Sequence, residues 1–149
     1  MIWVDTNVHL EGIPSDPKQV LDRAKDANVS VIATGMHPEQ WKWLATQCPS
    51  LRTYGLHPSY IDTPTNLNGL RNYLEADKSA HLGEIGLDYR GSQTDRKTQY
   101  RVFSEQLEIA KQYQRAVIIH AVHAHIDVLK ALKKYSVERF VVHAFTGSR

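Results

Sequence analysis

The sequence has 149 residues, a length that accommodates one domain with a sizeable core and leaves little room for two. With 42% hydrophobic and 23% charged residues but only 8 glycines and 6 prolines, its composition is that of a globular protein and excludes collagen-like, disordered and disulfide-scaffold classes. The net charge of +2 conceals a division, since residues 1–91 carry 8 Lys and Arg against 11 Asp and Glu while residues 92–149 carry 10 against 5, a mild late bias toward phosphate that solvated helix surface also produces.

In chain order, a short β-branched run at 2–4 reads as a first strand. Asp16-Pro17 then supplies a cap followed by Pro in the first turn of a helix carrying Val20, Leu21 and Ala24. Residues 29–33 read as a second strand, followed by a helical stretch with Trp41 and Trp43. These two tryptophans are too closely spaced to share one buried stripe, so one is expected at the rim. Further strands are expected at 51–56, 80–85, 116–119 and 140–142. Between the fourth and fifth lies the clearest helix, with Tyr100, Phe103, Leu107 and Ala110 on one stripe. Strand alternating with helix implies a parallel sheet with right-handed crossovers. The fold class is α/β, either an open doubly wound sheet or a (β/α) barrel, which hydrophobic pattern alone does not separate. With one cysteine, Cys48, no intrachain disulfide can form, and a reducing compartment follows. No apolar run reaches the ~20 residues of a bilayer span, so a cytoplasmic location without a membrane partner is expected.

The polar residues are concentrated at strand ends. Asp5-Thr6-Asn7-Val8-His9 follows the first strand and Gly83-Glu84-Ile85-Gly86-Leu87-Asp88 ends the fourth. His120 ends the fifth and His143 the sixth. In a parallel barrel these carboxyl ends share one face, where active sites sit. Imidazoles and carboxylates gathered there suit a divalent ion, and Glu84 is the natural bridge between two ions because its carboxylate has two oxygens to share. A single histidine after such a strand is more often a core-edge residue than a ligand, but four coincidences on separate strands favour a site. His57, in Gly55-Leu56-His57-Pro58, would contact substrate or simply sit in a turn set by Pro58. Arg90 would meet a phosphate or remain solvated. His123 and His125 are expected at the rim, and His37 and His81 receive no role.

These residues resemble the TatD family of metal-dependent deoxyribonucleases, a branch of the amidohydrolase-like TIM barrels. The resemblance is carried by Asp5-Thr6-Asn7-Val8-His9-Leu10, Gly55-Leu56-His57-Pro58, Gly83-Glu84-Ile85-Gly86-Leu87-Asp88-Tyr89, Phe103-Ser104-Glu105-Gln106-Leu107-Glu108-Ile109-Ala110, Val117-Ile118-Ile119-His120 and His143-Ala144-Phe145-Thr146-Gly147-Ser148. It implies a (β/α)8 TIM-barrel fold, of which about six βα units fall within this chain. It implies that Glu84 bridges the metals, that His120 and His143 bind one ion, and that His9 helps hold another. The implied cofactor is one or two divalent ions, Mg²⁺ or else Mn²⁺ or Zn²⁺. The implied reaction is hydrolysis of DNA phosphodiesters by metal-activated water, often from an end.

Three departures stand out. Asn7 replaces the first histidine of the usual His-x-His pair, offering a neutral amide oxygen instead. Val122-His123 replaces the usual Arg-Asp after the fifth-strand histidine. The family's late aspartate has no counterpart in the chain, so no catalytic base is assigned. Residues 1–149 are read as one TatD-like hydrolase domain lacking its C-terminal part. Two open parallel edges then call for self-association or a partner chain. Two further readings are a degenerate subunit acting in binding or assembly and an amidohydrolase-type enzyme on a small substrate.

Overall fold

The computed structural model describes residues 3–62, 65–91 and 94–147. Ile2, expected to open the first strand, and Ser148 of the last motif lie outside the described residues. Six strands form one sheet: β1 (Trp3–Val8), β2 (Val29–Gly35), β3 (Leu51–Tyr54), β4 (His81–Asp88), β5 (Val117–Val122) and β6 (Phe140–Val142). Every pairing is parallel, and the strand order follows the chain, β1 to β6.

That order separates the two architectures left open by the sequence. A doubly wound sheet reverses strand order at a switch point, whereas this sheet always adds the next strand on the same side. With right-handed crossovers, all helices then lie on one face, as in a barrel wall. These helices are α1 (Pro17–Asp26), α2 (Pro38–Gln47), α3 (Asn68–Ala76), α4 (Arg96–Gln112) and α5 (His125–Tyr135). Asp16 caps α1 by accepting from the Lys18 N–H at 3.0 Å, as its sequence position implies. The α4 stripe lies against β4, with Val102, Phe103, Leu107 and Ala110 buried. Trp41 is buried and donates its indole N–H to the carbonyls of Gly35 and Gly55, leaving Trp43 as the partly buried member of the pair.

Among the described residues β1 pairs only with β2, and β6 only with β5. The six strands thus make an open arc of barrel wall. Its two edges expose apolar side chains, Trp3 at 63% and Phe140 at 42%. No helix among the described residues is long and apolar enough to cross a membrane.

Candidate metal centre

Side chains alternate along a strand, so Asn7 and His9 leave the end of β1 on one face, and Glu84, Gly86 and Asp88 share one face of β4. The parallel register sets Gly86 beside His120 of β5. These placements converge on Glu84, which is 2% exposed. Its Oε1 lies 2.8 Å from His120 Nδ1, and its Oε2 lies 3.3 Å from His9 Nε2. The same Oε2 accepts from Asn7 Nδ2 at 3.0 Å. His120 also reaches Asp88 Oδ2 with Nε2, at 3.2 Å. Asp88 is held by Arg90, whose Nη2 donates to Oδ2 at 2.9 Å.

The electrostatics follow from this packing. Burial pushes the Glu84 carboxyl up, but hydrogen bonds from His120, His9 and Asn7 outweigh it and hold the group well below the usual carboxylate range. Burial acts on Asp88 in the same sense, and Arg90 with His120 likewise brings it far down. Hydrogen bonding to Glu84 raises His9. Burial lowers His120, yet its bonds to Glu84 and Asp88 leave it raised overall. His57 behaves differently: burial, and then the neighbouring His120, take it down to about 4. The ring is therefore neutral at ordinary pH. Its Nδ1 accepts from the Ser59 N–H at 3.1 Å, which puts the ring proton on Nε2.

Two glutamines of α4 hold the strand ends that carry these groups. Gln106 accepts from the Leu56 N–H at 2.8 Å and donates to the Leu56 carbonyl at 3.1 Å, just before His57. Gln99 accepts from the Asp88 N–H at 2.9 Å and donates to the carbonyls of Asp88 and Thr94. Each satisfies backbone groups where its strand has run out of ladder partners. Sequence reasoning assigned neither a role. The available signal was their seven-residue spacing, which puts two buried amides on the apolar stripe of one helix.

One side-chain N or O atom from each of His57, Glu84 and His120 lies within 4.8 Å of the other two. His57, expected to contact substrate, is thereby within reach of the same point as Glu84. His9 and Asn7 join the cluster through Glu84. His143 follows β6 and donates its backbone N–H to the Ile119 carbonyl at 2.9 Å, alongside His120 but outside the three-residue group. The donor set fits a divalent ion: a buried carboxylate, two imidazoles against it, and Asn7 Oδ1, a buried amide oxygen without a partner. A hollow of about 670 Å³ lies elsewhere, against Val29 and Leu51 at the opposite strand ends. Its lining holds no such group of ligands.

Because His9 and His120 have raised pKa values, an ion entering the cluster displaces protons from them. Apparent affinity for Mn²⁺ is therefore expected to rise with pH through and above the ordinary histidine value of 6.5, by up to about tenfold per pH unit for each proton displaced. Calorimetric titration at about pH 6 and about pH 8 measures it, and a pH-independent affinity would contradict the assignment. In the metal-free chain the sign reverses. The raised histidines stabilise fully below 6.5, and that contribution fades as pH climbs through their folded values.

Comparison with known proteins bears on the family and the fold. Residues 4–149 match the family model described as TatD related DNase. An uncharacterized metal-dependent hydrolase of Escherichia coli, YjjV, is 31% identical over 98% of this chain and 61% of its own length. A protein of Erwinia billingiae named 3'-5' ssDNA/RNA exonuclease TatD is 30% identical over the whole chain and 61% of its own length. The crystal structure of YjjV superposes with a TM-score of 0.86 over 98% of this chain. A TatD-like protein of Archaeoglobus fulgidus, 22% identical, shares the fold with a TM-score of 0.71. The chain spans about 61% of the length of the first two relatives. It belongs to the TatD related DNase family.

Proposed function

We propose that residues 1–149 act as a single TatD-type hydrolase domain that cleaves phosphodiester bonds of nucleic acid, DNA foremost, with divalent ions, removing nucleotides from an end. The observation that carries this reading is the Glu84 cluster at the carboxyl edge of β4 and β5, where imidazoles and carboxylates face each other with an unpartnered amide oxygen beside them. In this reading Glu84, His120 and His143 would hold one ion, and Glu84, His9 and Asn7 would hold a second. The ion is Mg²⁺, with Mn²⁺ or Zn²⁺ as substitutes on the same ligands. Bound there, it supplies neutralisation of charge developing on the phosphate oxygens and a lowered pKa for the attacking water.

The chain's own groups position the substrate. His57, neutral and protonated on Nε2, donates to a phosphate oxygen without adding charge. Arg90, anchored on Asp88 and largely exposed, offers its free edge to a neighbouring phosphate. The apolar edges of β1 and β6 call for cover by a second copy or a partner chain. A cytoplasmic setting suits the buried free thiol of Cys48.

End-labelled single-stranded DNA tests the reaction. With Mg²⁺ the expected product is a ladder of progressively shortened strands, abolished by EDTA and restored by added metal. Metal-loaded protein that leaves DNA and RNA intact while hydrolysing small esters or lactones would overturn the nuclease reading.

A further inference from the structure

His57 does more than face the metal centre, because it opens a single turn of 3-10 helix, Pro58–Tyr60. The turn is rigidly fixed: the His57 carbonyl accepts the Tyr60 N–H at 2.9 Å, and Pro58 and Ile61 are buried on either side. Tyr60 is the aromatic side chain of the turn and points outward, 41% exposed. The His37 ring, at the start of α2, packs against it with centroids 4.4 Å apart and planes tilted by 37°. His37 is itself pinned, its Nδ1 lying 2.7 Å from Glu39 Oε2. On the other side, the His57 ring lies 6.3 Å from Tyr60 and 4.4 Å from His120. The rings of His37, Tyr60 and His57 thus lead, one after another, to the Glu84 cluster.

The geometry points to Tyr60, backed by His37, as a stacking subsite for a base of the nucleic-acid strand whose phosphate lies at the metal centre. This rests on the nuclease reading and adds to it a group that selects for a strand carrying bases. A nucleotide presents both an anionic phosphate and a π face, and the chain offers a ligand for each, one histidine ring apart. Small esters and lactones carry no comparable planar base. Stacking on an exposed aromatic is indifferent to which base is present, because every base has a π face. The subsite therefore predicts tolerance of sequence and intolerance of a missing base.

Fluorescence anisotropy with labelled single-stranded oligonucleotides, in Ca²⁺ to limit cleavage, provides the test. Tyr60→Ala is expected to weaken binding by about 5- to 100-fold, while Tyr60→Phe stays within about twofold of the parent chain. An oligonucleotide abasic at successive positions in turn supplies the second arm, which needs no variant. One position should cost the parent chain as much as Tyr60→Ala does, and should cost that variant nothing more. If the parent binds oligonucleotides and neither Tyr60→Ala nor any abasic position weakens it, the subsite is wrong and the nuclease reading stands. If the metal-loaded parent binds no oligonucleotide, the nuclease reading itself fails, and the subsite with it.

Discussion

Replacing Glu84 by glutamine is expected to abolish divalent-ion binding and, with it, metal-induced stabilisation. Both carboxylate oxygens are committed, Oε1 to His120 and Oε2 to His9 and Asn7, so glutamine removes the anion that all three share. Loss of groups that merely orient metal ligands costs about 10- to 100-fold in affinity, and loss of the central anionic ligand should exceed that range. The variant should still fold, because His9 can shed its proton once the anion that raised it is gone, and His120 keeps Asp88 as a partner. The residual penalty is one lost set of buried hydrogen bonds, about 2 kcal/mol. Thermal denaturation with and without Mn²⁺ separates the effects. At an ion concentration of about 100 times Kd the parent gains about 2.7 kcal/mol, or about 5 °C or more in Tm, and Glu84→Gln gains nothing. An unchanged metal-dependent shift in the variant would remove Glu84 from the centre of the site.

Glu84 was legible in the sequence because a carboxylate inside an apolar strand, between Gly83 and Gly86, has to find a partner. The strands and the main helices were legible for a similar reason, since burial imposes its period directly on residue type. The sheet order was not, because β-branched runs buried on both faces look alike in a doubly wound sheet and a barrel. Asp88 was visible as a residue at a strand end, but its contact with His120 depends on the β4–β5 register, which no local pattern encodes. The proton position on His57 was hidden altogether. It depends on one backbone N–H, that of Ser59, made available by the turn at Pro58. Gln99 and Gln106 were missed because glutamine on a helix usually faces water, and only tertiary packing turns these two onto strand ends.

Gly86→Ala is expected to be the most damaging of the glycine-to-alanine replacements. Gly86 has a φ of +154°, a conformation that L side chains rarely adopt. A Cβ there would overlap the carbonyl oxygen of His120 on the adjacent strand. That neighbour is backbone and cannot rotate away, so relief requires β4 and β5 to part locally, at the pair that aligns Gly86 with His120. Strain and overpacking together should cost about 3 kcal/mol or more, about 10 °C in Tm for a chain of this size. Parting the strands also moves His120 from Glu84, now 2.8 Å apart, so the molecules that remain folded should bind Mn²⁺ more weakly than the parent. Gly12→Ala supplies the contrast, because nothing lies within 4 Å of a Cβ there and its stability should stay within about 0.5 kcal/mol of the parent. Parallel melting curves and metal titrations of the two variants decide the matter: equal stability would mean that β4 and β5 are not held in the close register on which the metal centre depends.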